Sequence, residues 1–296
     1  MKVSIVIALK NQSEDLRQCL SCLSSQSYRN FETIVIDNNS SRDESRAIRA
    51  LCNEFGAIYD FEPVPGVYVA RNRALSHVTG DLIGFTDADC RPWASWISGA
   101  IMAIETYHYQ LVAGHVNFTF SASPPPIAEY IDSFTHLQQE DYAEQGYGAG
   151  ANLWIRRELF DVVGLFRSDM MRLGDREWGQ RARGYGINIQ YSSLTTVDHA
   201  ARNWDEFLSK IWNQAEWKHF LIPFTWRDIF TAAIVPWQNY QGAMRDPQLP
   251  GLRRIRFILA LHWIGIMRSV RIIQLLNRSP TPHPRTNTRE HTRTFN

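Results

Sequence analysis

Two carboxylates one residue apart, Asp87-Ala88-Asp89, follow the apolar run Leu82-Ile83-Gly84-Phe85-Thr86. Where a buried strand emerges into solvent, such a pair can hold a hard divalent cation against a diphosphate, because these ions take oxygen ligands and share their sphere with phosphate oxygens. A third carboxylate, Asp37, ends the apolar run that begins at Phe31. Further along, Asp175-Arg176-Glu177-Trp178-Gly179-Gln180-Arg181 combines acids and bases, with Glu177 and Arg181 spaced i, i+4 for an ion pair on one helix face. Asp-x-Asp triplets are common on solvated loops. Position at a strand end, with related segments before and after, is what gives this one weight.

The elements that must carry these side chains are legible. Val3-Ser4-Ile5-Val6-Ile7-Ala8-Leu9 is short, β-branched and nearly all apolar, as expected for a strand covered on both faces. Ser13 is placed to cap a helix to about Ser25, with Leu16, Leu20 and Leu23 inward. Strands over residues 31–36, 57–61 and 82–86 alternate with helices over 44–55 and 67–78, which implies βαβ units and a mostly parallel sheet. Ligands of such sheets bind beyond the carboxyl ends of the strands, where Asp37, Asp87 and Asp89 all stand. No Gly-x-Gly-x-x-Gly follows the first strand, which disfavours a dinucleotide fold.

The chain has 296 residues, 44% hydrophobic and 21% charged, enough for a sizeable buried core. Its net charge of +1 conceals a split: residues 251–296 hold nine Arg, no Lys and a single acid, Glu290, so the rest is acidic on balance. A basic C-terminal region suggests an anionic surface as partner. Cys19-x-x-Cys22 has metal-ligand spacing, yet no second pair completes a zinc site, and both residues fall in the helical pattern of Leu16, Leu20 and Leu23. Core packing is the expectation. With no secretory signal before Val3, a reducing cytoplasmic setting is expected.

Val3–Leu9, Ile34-Val35-Ile36-Asp37-Asn38-Asn39-Ser40, Ala70-Arg71-Asn72 and Gly80-Asp81-Leu82-Ile83-Gly84-Phe85-Thr86-Asp87-Ala88-Asp89 resemble, in order and spacing, the family 2 glycosyltransferases over about the first 200 residues. The resemblance implies an α/β GT-A fold, a mixed but mostly parallel sheet flanked by helices. It implies a nucleotide-sugar donor, Mn2+ or Mg2+ as cofactor, and a glycan or lipid-linked acceptor. Ala8-Leu9-Lys10-Asn11 departs from the Pro and aromatic residue usual before the Asn.

Residue by residue, the resemblance gives Asp37 to the donor base, with capping of the Asn38-Asn39-Ser40 turn as the alternative. It turns Arg71 toward the nucleotide or its phosphates, the alternative being a salt bridge to Asp81. Asp89, with Asp87, would hold the metal, joined by His199 at the end of a strand from Tyr191; His199 could alternatively touch the diphosphate or be a hydrogen-bonded structural residue. Asp87 would also touch the donor. Gly150 and Asn152, in the run Gly146–Asn152, would lie at the donor sugar. Asp175 would be the general base, with Glu177 as a positioner near the substrate or simply paired with Arg181. Gly174 stands where the family often has another acid. Asp175 could alternatively cap the following helix. The region 121–147, with Pro124-Pro125-Pro126 and a helix around Ile127–Gln139, would be the acceptor loop.

Residues 1–202 are thus expected to form the catalytic domain, 203–278 a helical, membrane-associating region, and 279–296 a disordered tail. Asn203-x-x-Glu206 has the form of a capping box. In residues 251–277 the uncharged run Phe257–Met267 is 11 residues, short for a bilayer span. Arg256, Arg268, Arg271, Gln274 and Arg278 fall on one arc opposite Ile258, Leu261, Ile272 and Leu276, the pattern of C-terminal amphipathic helices lying in a membrane surface, with packing on the catalytic domain as the alternative. Nucleic-acid binding is not expected, since no nucleic-acid fold accompanies the Arg residues. The whole reads as an inverting, metal-dependent glycosyltransferase peripheral on the inner face of the membrane. The rivals are a non-catalytic sugar-nucleotide-binding protein and a nucleotidylyltransferase, which would need a Gly-rich basic loop after the first strand.

Overall fold

The computed structural model of the chain describes residues 1–221, 224–235, 237–247 and 249–277. These divide into two compact units, Met1–Phe207 and the residues from Leu208 onward. The expected tail at 279–296 lies outside the described residues.

In the first unit the strands are β1 (Val3–Leu9), β2 (Phe31–Asp37), β3 (Ile58–Phe61), β4 (Leu82–Thr86), β5 (Cys90–Pro92), β6 (Leu111–Thr119), β7 (Asn152–Arg156) and β8 (Gln190–Ala200). Between them lie helices α1 (Ser13–Ser24), α2 (Arg42–Phe55), α3 (Val67–Leu75), α4 (Trp96–Thr106), α5 (Ile127–Thr135), α6 (Gln139–Glu144), α7 (Leu159–Val163) and α8 (Gly174–Gly184). One sheet takes all the strands in the order β3-β2-β1-β4-β7-β6-β8-β5. Strands β1 to β4 run parallel, β7 is antiparallel between β4 and β6, β6 and β8 are parallel, and β5 is antiparallel to β8.

Alternation along β1 explains why both faces are covered. Val3, Ile5, Ile7 and Leu9 join Leu16, Leu20 and Leu23 of α1, Ile48 of α2 and Trp96 of α4 in one cluster. Val6 points the other way, with Ile34, Ile36, Phe85, Tyr68 and Trp178. Burying apolar surface on both faces contributes about 25 cal/mol per Å² and makes this sheet the rigid base of the unit. Register then fixes the rim. Leu9 pairs with Asp37 and Ile7 with Thr86, so the chain leaves β1, β2 and β4 at one level. The sheet changes winding direction between β1 and β4, which opens a crevice above them.

Several local expectations shift. Helix α1 starts at Ser13 without a side-chain cap; the Ser13 N–H donates to Glu44 at 3.0 Å instead. Helix α3 ends at Leu75, its last amides tightening onto the carbonyls of Arg73 and Ala74. The single helix expected near residues 127–139 is two, α5 and α6, separated at Leu137, whose φ is 52°. Strand β5 was unforeseen, since three residues carry no readable periodicity. Strand β8 loops out residues between the pairs Gly114–Ser192 and His115–Thr196.

From the end of β8 the chain enters α9 (Trp204–Leu221), opened by the expected capping box: Glu206 N–H donates to Asn203 Oδ1 at 3.1 Å, and Asn203 N–H to Glu206 Oε2 at 3.1 Å. The second unit continues with α10 (Trp226–Ala233), α11 (Trp237–Arg245) and α12 (Gly251–Leu276). The expected arc is only partly turned to solvent: Arg256 and Gln274 are exposed, Arg268 and Arg271 are not, and Arg278 lies outside the described residues. Arg271 is buried, its Cζ 5.9 Å from the Trp212 ring centre, and Arg268 lines a cavity of about 300 Å³ with Ile211, Phe224, Asp228 and Ile272. Burial lowers the Arg268 pKa. Close contact turns the expected apolar arc inward: Gly265 approaches the Ala233 carbonyl and Ser269 donates to the Ile229 carbonyl at 2.7 Å, so the side with buried Leu261 and Ile272 faces α10. The outer side carries Leu252, Ile255, Leu259, Ile266, Val270 and Ile273. An 11-residue count also understates the helix, which is by length and composition apolar enough to cross a membrane, as some core helices also are.

Candidate active site

Asp87 and Asp89 reach the rim because the residue between them is driven inward. Ala88 is buried, and the turn is closed by Cys90 N–H donating to the Asp87 carbonyl at 3.1 Å. Thr86 Oγ1 ties the strand end to the Ala151 carbonyl at 3.0 Å. The two carboxylates remain 40% and 32% exposed, enough for water or a ligand to reach them.

His199 comes to Asp89 through sheet pairing. Strand β5 follows the triplet directly and pairs Cys90 with His199. His199 Nε2 thereby lies 3.4 Å from Asp89 Oδ2, while Nδ1 lies 2.7 Å from the Ala200 carbonyl. With Nδ1–H serving that carbonyl, Nε2 faces the carboxylate, as a donor when the ring is protonated and as a lone pair when it is neutral; Arg202 Nη2 also approaches it at 3.4 Å. With the ring neutral, the two acceptors suit a cation between them. A carboxylate oxygen and an imidazole nitrogen fit Mn2+ better than Mg2+. Among the described residues no group of three His, Cys, Asp or Glu side chains is close enough to hold an ion unaided. Burial pushes Asp87 up in pKa, against the pull of Arg71. Burial also raises Asp89, but His199 and Arg202 outweigh it and hold Asp89 below the usual range.

Arg71, on α3, donates to Asp87 Oδ1 at 3.1 Å from between the rings of Tyr68 and Phe85, each 5.7 Å from its Cζ. Its side chain is 6% exposed. The alternative partner, Asp81, instead accepts from the Lys2 backbone at 3.1 Å. Gly150 closes the other side: a Cβ there would lie 2.1 Å from Arg71 Nη1, so only glycine admits the guanidinium.

Asp175 joins the same assembly. Its Oδ2 accepts from Gly150 N–H at 3.0 Å, and Oδ1 from Tyr68 Oη–H at 3.1 Å and Arg176 N–H at 2.9 Å. A carboxylate offers about four acceptor positions, so Oδ2 keeps one. Asp175 is not the helix cap; α8 begins after Leu173, a left-handed residue with φ of 61°, and has no side-chain cap. Burial and then the Asp175 charge raise the Tyr68 pKa, so Tyr68 stays a phenol donor. Gly174 replaces the family's frequent acid for a steric reason: a Cβ would lie 2.7 Å from the Tyr68 ring. Asp87, Arg71, Gly150, Tyr68 and Asp175 are therefore linked by contacts, and Asp87 senses the charge of Asp89, His199 and Asp175.

Three expected site residues are engaged by neighbours within the protein. Asn152 is fully buried beneath the rim, where Oδ1 accepts from the indoles of Trp96 and Trp154 at 2.9 and 3.0 Å and Nδ2 donates to the carbonyls of His115 and Thr195 at 2.8 and 3.0 Å. That exhausts the amide, which has nothing left for substrate. Glu177 gives both oxygens to Arg181, at 2.9 and 3.1 Å, and Arg181 in turn holds the carbonyls of Val163 and Leu165. Asp37 is fully buried and accepts from Ser40 N–H at 3.0 Å, from the Ser45 hydroxyl and from Tyr59 Oη at 3.2 Å, the bonding of the turn-capping alternative. Cys19 and Cys22 are free thiols within the packed first unit, Cys19 fully buried. The residue overlooked in sequence is Tyr68. Its only signal is spacing, three residues before Arg71 on the same helix face.

Known proteins share the sequence family and the fold. A family model described as glycosyl transferase family 2 matches residues 4–164. Over 217 residues the chain is 30% identical to the glycosyltransferase AglE of Haloferax volcanii, covering 70% of each chain. It is 23% identical over 243 residues to the glycosyltransferase GlyA of Streptococcus pneumoniae, covering 75% of this chain and 33% of that one. Among solved structures, the mannosyltransferase PcManGT of Pyrobaculum calidifontis, in complex with GDP-Man and Mn2+, gives a TM-score of 0.60 at 17% identity, covering 95% of this chain and 76% of that one. S. aureus TarS 1-349 in complex with UDP-GlcNAc gives 0.55 at 14% identity, covering 93% and 90%. At those identities the structures speak for the fold, which is GT-A. With the family match spanning over half of the sequence, the chain belongs to the family 2 glycosyltransferases.

Proposed function

We propose that the protein moves a sugar from a nucleoside-diphosphate donor to a hydroxyl of a lipid-linked or polysaccharide acceptor, with inversion at the anomeric carbon. The observation that carries this reading is the contact chain from Asp87 through Arg71 and Gly150 to Asp175, which puts a phosphate-binding cation beside a carboxylate with spare capacity. The acceptor oxygen forms a bond to the anomeric carbon as the bond to the diphosphate oxygen breaks, and the acceptor proton passes to Asp175 Oδ2. Tyr68 and the Gly150 amide orient that carboxylate, so placement rather than basicity does the catalytic work. Asp89 and His199, with Asp87, would hold Mn2+ or Mg2+, which when bound stabilises charge on the leaving diphosphate. Arg71 stabilises the same charge from the protein side. Named relatives that bind GDP-Man with Mn2+ and UDP-GlcNAc support a nucleotide-sugar donor and a divalent metal.

Asp175→Asn tests the base. Expected is a loss of transfer of about 10²- to 10⁴-fold with metal and nucleotide binding unchanged by calorimetry. Turnover like the unaltered protein would refute the assignment.

The second unit supports work at the cytoplasmic face of a membrane. The outward row Leu252, Ile255, Leu259, Ile266, Val270 and Ile273 is joined by exposed Trp226, Phe230, Ile234 and Trp237. The basic balance of residues 251–296, nine Arg against one acid, supports an anionic bilayer as the partner. The full chain should sediment with vesicles of anionic phospholipid and less with zwitterionic ones. Equal absence from both would remove the membrane role.

A further inference from the structure

Beside Asp175 lies a constellation that the reaction above does not use. Tyr142 and Tyr147 stack at 4.9 Å with 18° between their planes, and the Arg176 Cζ lies 5.3 Å over the Tyr147 ring. Tyr147 is pinned from behind by α8, where Gly179 comes so close that a Cβ there would lie 2.8 Å from the Tyr147 Cα. Both tyrosines sense the Asp175 charge.

Two cations flank the base. Arg176 follows it directly and is exposed; Arg172 precedes it by three residues, is half-buried and sits within electrostatic reach of Tyr68. Among the described residues neither pairs with a carboxylate. A guanidinium partly withdrawn from water without a counter-ion is costly unless an anion arrives to meet it. A flat aromatic face suits the C–H face of a pyranose ring, and a planar guanidinium suits phosphate or carboxylate.

We propose that this corner is the acceptor subsite and that it selects a sugar bearing negative charge. Tyr147, backed by Tyr142, carries the ring, while Arg176 and Arg172 take a phosphate or uronate group on it. This rests on Asp175 as the base and names the class of acceptor whose hydroxyl reaches it.

Binding to the full chain is measured by saturation-transfer NMR with glucose 1-phosphate, methyl glucuronoside and methyl glucoside, alongside GDP and UDP titrations. Expected is at least about tenfold tighter binding of one or both anionic sugars over the neutral one, and whichever binds names phosphate or carboxylate as the group. Tyr147→Ala should abolish binding of all three sugars and Tyr147→Phe retain it, which separates loss of the platform from misfolding. Arg176→Gln and Arg172→Gln should level the anionic preference while nucleotide affinity holds. Equal binding of the neutral glycoside by the unaltered chain would overturn the proposal. So would weakened nucleotide binding in the Arg variants, which would assign those cations to the donor. Mn2+-dependent donor hydrolysis in the same samples keeps the two readings apart: its absence would sink sugar transfer, whereas hydrolysis without anionic preference would sink this inference alone.

Discussion

The rim of the sheet and the layer just beneath it carry the same kinds of polar side chain and use them differently. Beneath, neighbours take all four hydrogen-bonding positions of the buried Asn152, and Asp37, at the end of β2, is wholly buried and accepts three bonds out of reach of solvent. On the rim, Asp87 and Asp89 are also partnered but stay open to solvent, and Asp175 keeps an acceptor position. What separates a site residue from a scaffold residue here is access to solvent, not residue type: Asp37 and Asp175 each accept three bonds, yet only Asp175 is open to a ligand. Lower-layer substitutions should therefore cost stability, and rim substitutions should cost activity.

The largest effect should follow Asp89→Ala, with transfer falling about 10³-fold, Mn2+ affinity collapsing and the melting temperature nearly unchanged, in line with electrostatic stabilisation of a leaving group. A large drop in melting temperature would place Asp89 with the scaffold. Asn152→Ala should do the reverse, costing about 3 kcal/mol in chemical denaturation because two indole N–H groups and two carbonyls lose their partner. If it instead left stability intact and raised the donor KM, Asn152 would belong to the rim after all.

Gly150→Ala sharpens the boundary between the layers. A Cβ 2.1 Å from Arg71 Nη1 must expel the guanidinium from Asp87, so nucleotide binding should weaken about 10-fold, with a smaller loss of stability. Unchanged nucleotide affinity would mean that Arg71 acts only as packing. Smallest is Glu177→Gln, expected to cost about 0.5–1 kcal/mol through its partly exposed pair with Arg181 and to leave kcat nearly untouched. A hundredfold fall in kcat would restore Glu177 to the substrate.

Much of this was legible in the sequence, for physical reasons that differ by residue. Asp87 and Asp89 were readable because the strand and the triplet are contiguous, so one short segment contains both scaffold and ligand. Asn152 misled because it follows a glycine-rich run, yet period two places it on the face of Trp154, the core side. Asp37 could not be resolved in the same way, since its partners Ser45 and Tyr59 arrive through the packing of α2 and β3. The meeting of His199 with Asp89 depends on a three-residue strand, and the Tyr68–Asp175 bond spans 107 positions. Nothing local encodes either. In α12 the helical period holds and Leu261 and Ile272 do share a buried side, but Gly265 and Ser269 let that side pack on α10, and the outward apolar row from Leu252 to Ile273 lies outside the expected arc.

The most direct test is a crystal of the full chain grown with Mn2+ and a nucleoside diphosphate, measured at the manganese absorption edge. The account predicts an anomalous peak within bonding distance of Asp89 Oδ2 and His199 Nε2, in the same cleft as the Asp175 carboxylate. A peak at another surface, or on the opposite side of the sheet from Asp175, would contradict it.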